Sequence, residues 1–298
     1  MPRLPRHFLT GAELSAAELS ALLDRAAELK ASPHASSVLE RRTVALLFEQ
    51  PSTRTRTSME AGVFELGGHP MVVRPGELQL ARGESVRDTA LVLSRHVAAI
   101  GYRTASDERL AELAEHASVP VINLLSPLHH PCQVLADLLT LREAFGPDLS
   151  GRRLVYVGDG NNMARSLAIL GELAGLDVVI AAPAGHQIEA GSAGKTTRFA
   201  DDPREAVAGA HAVYTDVWVS MSDDEATAAA RRTALGPYRL DDALLDRAAD
   251  DAIALHCLPA HPGEEISEAV LYGPRQRIWD QAENRRHAQK ALLEALVE

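Results

Sequence analysis

With two cysteines in 298 residues, Cys132 and Cys257, the chain lacks the material for a disulfide framework. Two thiols cannot close a zinc site by themselves either, and a reducing compartment suits them. No apolar run approaches the roughly 20 residues that a membrane span needs. The opening Met-Pro-Arg-Leu-Pro-Arg-His-Phe holds no apolar stretch of the kind a secretion signal carries, so a cytoplasmic protein is expected. Positive charge is not in excess: 30 basic against 41 acidic residues leave a net −11, which argues against non-specific nucleic-acid binding. Internal repeats, low-complexity tracts and long charge runs are missing too. What remains is 46% hydrophobic and 24% charged, an ordinary balance for a soluble enzyme of roughly two domains.

The densest chemistry lies at residues 48–60, Phe-Glu-Gln-Pro-Ser-Thr-Arg-Thr-Arg-Thr-Ser-Met-Glu. An apolar run over 44–48 stops before Pro51, and apolar residues return at helical spacing at Met59, Val63 and Leu66. The pattern predicts strand, turn and helix, with Ser52, Thr53, Arg54, Thr55 and Arg56 at the helix start. Unpaired N–H groups and the positive end of the helix dipole favour an anion there. Hydroxyls and a guanidinium fork make that anion a phosphate rather than a lone carboxylate. Two arginines oppose the dipole of an ordinary helix start. Arg56, one turn in, is expected to pair with Glu60 instead of the phosphate.

Ser15-Ala16-Ala17-Glu18 is a capping box, and the apolar stripe after it predicts a helix over 15–30. Strands are expected at 44–48, 71–73, 97–101 and 119–125, with helices near 53–66, 85–96 and 107–117 between them. A helix over 132–145 ends at Gly146-Pro147. Strands at 154–158, 177–182, 212–216 and 253–258 follow, then a C-terminal helix over 282–296; 183–195 reads as loop. Alternating strands and helices imply an α/β fold of two doubly wound domains with parallel sheets, joined by interdomain helices. The boundaries are set at 1–147 and 148–280, with 281–298 packing back on the first domain. Such folds bind ligands at the carboxyl ends of their strands. The polar clusters fall there: Arg103, then His129-His130-Pro131-Cys132-Gln133, Asn161-Asn162, Asp216 to Met221, and His256-Cys257-Leu258-Pro259. Gly158-Asp159-Gly160 begins like a dinucleotide fingerprint, but Met163 stands at the third glycine position. Trp218 and Trp279 read as core or interface.

These motifs, in this order from about His7 to the C-terminus, resemble the carbamoyltransferase family. Ser-Thr-Arg-Thr-Arg and His-Pro-x-Gln mark the superfamily, while His256-Cys257-Leu258-Pro259 and Asp216-Val-Trp-Val-Ser220-Met221 resemble its ornithine branch. The resemblance implies a first domain holding carbamoyl phosphate and a second holding L-ornithine. It gives the phosphate to Ser52, Thr53, Arg54 and Thr55, and the carbamoyl end to Arg103, His130 and Gln133. It also implies a homotrimer, with assembly beyond the trimer left open, in which a neighbour donates Gln79, and a last helix that returns Arg285 to the phosphate. Asn162, Asp216, Ser220 and Met221 would hold the amino-acid head of ornithine, with Cys257 and Leu258 where the substrates meet. Arg103, His130 and Cys257 are the catalytic candidates. No metal or organic cofactor is implied. The chain departs from the family pattern at Ser222, where Gly is usual, at Pro262, where Arg is common, and at Gln50, where Lys is common. The 183–205 connection is also short.

The reaction so implied is carbamoyl transfer to the side-chain amine, giving citrulline for arginine biosynthesis. Its tetrahedral oxyanion needs donors such as Arg103, His130 and the Thr55 hydroxyl. Asp216 and Cys257 are the groups able to manage the amine proton. Two alternatives stay open at this point: a carbamoyltransferase for putrescine or an acylated ornithine, and a non-catalytic binding relative.

Overall fold

A computed structural model of the chain describes residues 6–189, 191, 194–219 and 224–297. It forms two compact units, Met1–Leu139 together with Glu283–Glu298, and Thr140–Ala282.

In the first unit, α1 (Ala16–Ala31) carries the capping box the sequence announces, with Ser15 and Glu18 each satisfying the other's backbone N–H. β1 (Thr43–Phe48), α2 (Thr53–Glu65) and β2 (His69–Val73) follow. A short 3-10 turn at Gln79–Arg82 leads to α3 (Val86–Leu93), β3 (Ala99–Arg103), α4 (Asp107–His116), β4 (Val121–Leu125) and α5 (Pro131–Phe145). The sheet is parallel throughout, in the order β2-β1-β3-β4. Strand order therefore reverses between β1 and β3, where Phe48 pairs with Arg103 at the carboxyl edge. Ala45, Leu47, Ile100, Tyr102 and Val121 pack with Leu110 and Leu113 into one core on this sheet.

The second unit is a five-stranded parallel sheet. β5 (Arg153–Val157), α6 (Asn162–Leu173), β6 (Asp177–Ala181), β7 (Arg198–Ala200), α7 (Pro203–Ala206) and β8 (Ala212–Thr215) come first. α8 (Glu225–Leu235), α9 (Asp242–Leu245), β9 (Ile253–His256), α10 (Glu268–Leu271) and α11 (Ile278–Val297) complete the chain. The order β7-β6-β5-β8-β9 reverses between β5 and β8. Its core gathers Val155, Val157, Val179, Val213, Ala254 and Ile266.

Parallel strands in both sheets and helices between them are as the sequence predicts; the element ends differ for local reasons. The strand expected at 97–101 begins at Ala99, because the Val97 N–H still bonds the Leu93 carbonyl at the end of α3. The strand expected at 253–258 stops at His256, because Leu258 takes a φ of 61°, which breaks the extended chain. The C-terminal helix starts at Ile278, four residues early, with Gln276 Oε1 accepting the Ile278 N–H at 2.7 Å. Gln276 lies two residues before the helix, outside the N-cap position, so the usual start signals do not mark it. β7 at Arg198–Ala200 pairs at the edge of the sheet inside the short connection. Trp218 is buried as expected, whereas Trp279 is exposed and stacks on Tyr272.

The last part of α11 belongs to the first unit, and Lys290 shows what fixes it there. Its side chain is wholly buried, with Nζ donating to Glu65 Oε2 at 2.6 Å, Leu29 O at 3.1 Å and Pro33 O at 3.0 Å. An ammonium has three donors, and all three are used. Replacing Lys290 with Met leaves the Glu65 carboxylate to Arg286 alone and strands two carbonyls. The variant is expected to lose about 3 kcal/mol of stability, measurable by denaturant melts; a loss below ~1 kcal/mol would sink this account.

Candidate functional site

In the first unit, polar groups converge at the carboxyl ends of β1 and β3. Ser52 is the N-cap of α2, yet its side chain makes no capping bond, and the first turn holds no acidic residue. The helix start is thus left to other anions. Arg103, the last residue of β3, points Nη1 at Ser52 Oγ, 3.4 Å away. Glu49 locks the turn from behind: its carboxylate accepts the Tyr102 hydroxyl, Thr104 Oγ1 at 3.0 Å and the Ala105 N–H at 2.8 Å. Burial, and then the Glu49 contact, push the Tyr102 hydroxyl up, so it remains a donor.

α5 supplies the next groups. Pro131 sits at its first position, where the missing N–H costs nothing, so His130 precedes the helix and Gln133 lies in its first turn. His130 and Gln133 are buried, as are Thr55 and Arg285. The Arg285 guanidinium, arriving on α11, donates Nη2 to Thr55 Oγ1 at 2.7 Å and Nη1 to Gln133 Oε1. One planar fork therefore joins residues 230 and 152 positions away along the chain. Burial holds His130 well below the usual histidine range, and the cations Arg285, Arg103 and Arg54 add to this. The ring is neutral at pH 7, and one nitrogen can donate to an oxygen without adding charge.

Thr53 is exposed beside Arg54, and Arg56 binds Glu60 at 2.8 Å, as its spacing predicts. Gln79 is exposed at the head of its 3-10 turn and makes no hydrogen bond to this cluster among the described residues.

The second unit builds a cluster of opposite character. Asp216 follows β8 and is buried; Oδ1 accepts the Val217 N–H at 2.8 Å and the Cys257 thiol at 2.9 Å, and Oδ2 accepts Asn161 Nδ2 at 2.7 Å. Asn161 is the N-cap of α6, accepting the Met163 and Ala164 N–H groups on Oδ1. The sequence puts Asn161 and Asn162 in one polar cluster, and the resemblance gives the ornithine contact to Asn162 alone. Asn162 is the first residue of the helix, and the cap is its neighbour. An Asn immediately before a helix-periodic run was the available signal. Burial, then Asp216, Asp159 and Cys257, push the Tyr156 hydroxyl well above its ordinary range, so it stays protonated and donates to Asp159 O at 2.9 Å.

Cys257 and Leu258 follow β9. His256 turns them: its Nδ1 accepts the Leu258 N–H at 2.8 Å while Nε2 meets the buried Glu265 at 3.2 Å. Burial would raise Glu265, but hydrogen bonds from His256 and the His261 N–H outweigh it and hold the carboxylate below its usual range. A leucine at positive φ is strained, and the His256 contact holds it there. Leu258 also packs on the second unit's core. Ser220, Met221 and Ser222 lie outside the described residues.

The sequence has relatives along almost its whole length. The family described as aspartate/ornithine carbamoyltransferase, carbamoyl-P binding domain, matches residues 6–143, and its Asp/Orn binding domain matches residues 150–296. A protein of Acidothermus cellulolyticus named ornithine carbamoyltransferase is 53% identical, over 98% of this chain and 97% of its own length. One of the same name from Parafrankia sp. is 51% identical over 98% and 96%. Among solved structures, ornithine carbamoyltransferase from Thermus thermophilus superposes with a TM-score of 0.93 at 42% identity, covering 99% of this chain and 100% of that one.

Two expectations follow from the geometry. A histidine kept neutral by burial binds its proton more readily once the chain unfolds, near its ordinary value of about 6.5. Stability from His130, and from His7 and His287, which burial also lowers, is therefore complete above that value and lost as pH falls through it. The melting temperature at about pH 5 should lie below that at about pH 7.5, with a shallower fall in His130→Gln. Gly160 is the second. A Cβ there would stand 2.5 Å from His186 O and 2.7 Å from Ile188 N, both backbone atoms. Gly160→Ala should cost roughly 1–3 kcal/mol and weaken amine use, read from melts and from KM for the amine.

Proposed function

The chain belongs to the aspartate/ornithine carbamoyltransferase family, and we infer that it transfers the carbamoyl group of carbamoyl phosphate to the side-chain amine of L-ornithine, giving L-citrulline and phosphate. What carries this reading is likeness over almost the entire chain to proteins named for that reaction. The two clusters support it chemically. The first unit offers Arg54, Arg103, Arg285 and the open start of α2 to a doubly charged phosphate. The second offers a carboxylate and a thiol to an amine.

The amine nitrogen attacks the carbonyl carbon, forming a C–N bond. The bond from that carbon to the bridging phosphate oxygen then breaks, and phosphate leaves. Starting from the ammonium, nitrogen gives up one proton before attack and a second that departs with the phosphate. Removing the first costs about 4 kcal/mol near pH 7.4 for an amine of pKa about 10.4. Asp216 accepts three hydrogen bonds. A carboxylate has roughly four acceptor directions, so about one remains for an amino group of ornithine. Cys257, hydrogen-bonded to that carboxylate, is the adjacent proton carrier. On the carbonyl side Arg103, neutral His130 and Thr55 supply the donors for the tetrahedral oxyanion. Ser52, Thr53 and Arg54 take the phosphate, and Gln133 and Leu258 the carbamoyl group. Asn162, Asp216, Ser220 and Met221 take the amino-acid head of ornithine. In the same reading the protein is a cytoplasmic homotrimer serving arginine biosynthesis, and Gln79 completes the phosphate pocket of the neighbouring subunit.

Carbamoyl phosphate offered with ornithine, putrescine, N-acetylornithine or aspartate should yield a ureido product from ornithine alone. Turnover with only another amine would keep the donor site and overturn the acceptor. Cys257→Ser should lower kcat/KM for ornithine at least tenfold with KM for carbamoyl phosphate little changed; unaltered ornithine kinetics would remove the thiol from the mechanism.

A further inference from the structure

Gln133 is an amide, and an amide has no orientation of its own: either end of it can face a given neighbour. Two ionic groups decide the matter here. Nε2 donates to Asp137 Oδ1 at 2.8 Å, one helical turn along α5, and Oε1 accepts from Arg285. A carboxylate can only accept and a guanidinium can only donate, so the amide between them has a single allowed setting. Asp137 is wholly buried, in a helix whose Val134, Leu135, Ala136, Leu138 and Leu139 are buried as well. A carboxylate in such surroundings is costly unless it is paired and hydrogen-bonded. A carbonyl oxygen has two lone pairs. With one given to Arg285, the second is available to an N–H donor.

We propose that Asp137 is a positioning residue for donor recognition: by fixing the Gln133 amide it presents a carbonyl oxygen to the –NH2 group of the acyl phosphate. This rests on the reading that the first unit binds carbamoyl phosphate. An amide-bearing acyl phosphate satisfies that oxygen. Acetyl phosphate, with a methyl group in the same place, leaves it bare, and inorganic phosphate does not reach it. Asp137 thus governs the choice of acyl group and leaves phosphate affinity to the α2 start and its arginines.

The test compares carbamoyl phosphate, acetyl phosphate and inorganic phosphate on the wild type, Asp137→Ala, Asp137→Asn, Gln133→Ala and the Asp137→Ala/Gln133→Ala double variant. Affinities are read by titration calorimetry and as KM or Ki. Asp137→Ala should weaken carbamoyl phosphate roughly tenfold, the loss of one hydrogen bond, while the other two anions stay within about twofold. Gln133→Ala should lose at least as much for carbamoyl phosphate, and the double variant no more than Gln133→Ala, because the effect of Asp137 on the donor runs through that amide. Asp137→Asn keeps a weaker, neutral acceptor and should lose at least about threefold in preference for carbamoyl over acetyl phosphate. It decides the matter alone if the alanine variant does not fold. Equal weakening of all three anions, additive losses in the double variant, or an unchanged preference would each overturn the proposal. A wild type that binds carbamoyl phosphate selectively without making citrulline would count against the proposed reaction and leave the role of Asp137 to be decided by the same affinities.

Discussion

A parallel strand can be followed by another in the same sheet only through a crossover, so every strand in such a sheet ends on one edge. The chemistry depends on that constraint. Each sheet here reverses its strand order once, between β1 and β3 in one unit and between β5 and β8 in the other. Helices leave to opposite faces at these points, and the strand ends are uncovered. Ser52 and Arg103 stand at the first reversal, Asn161 and Asp216 at the second. The pairing of Phe48 with Arg103 therefore bears on the proposed site as well as on the fold, since a one-residue slip would turn Arg103 to the other face.

The electrostatics of the two clusters are opposed, and each is built by removing something. Around α2 no acid stands in the first turn, the cap hydroxyl makes no bond to its own helix, and burial strips the proton from His130. Three guanidinium groups then act on whatever anion arrives, with Asp137 behind Gln133 as the buried counter-charge. Around Asp216 the donors are a backbone N–H, an amide and a thiol, and none carries formal charge. Its carboxylate keeps its attraction for a cation because its hydrogen-bond partners do not neutralise it. An anionic donor and a cationic acceptor are each met by a field suited to them.

Much of this was legible in the sequence, and the parts that were not share a cause. The Ser-Thr-Arg-Thr-Arg turn, the His-Pro-x-Gln helix start and the capping box are local patterns, read within a few residues. The Arg56–Glu60 pair follows from helical spacing alone. By contrast, Arg285 reaching Thr55 and Gln133 is a tertiary contact, and only resemblance to a family pointed to it. The Asn161 cap, Asp137 and the Glu265–His256 pair were passed over because polar residues beside better-known motifs look like spacers until their partners are seen. Gln276 before α11 escaped because a glutamine two residues ahead of a helix is not among the usual start signals. The early end of β9 escaped because nothing local in Leu258 forecasts a positive φ.

The first unit is discontinuous in the chain: its sheet is complete by residue 139, but Arg285 and Lys290 arrive only with Glu283–Glu298. During synthesis, which runs from the N-terminus, the sheet emerges long before the guanidinium that joins α2 to α5. Until then Thr55 and Gln133 lack the partner that binds them together, and Glu65 faces no ammonium. The nascent chain thus carries an unfinished polar cluster for as long as the second unit is being made. Truncated products of interrupted translation would keep the motif and lack the guanidinium that joins it to α5.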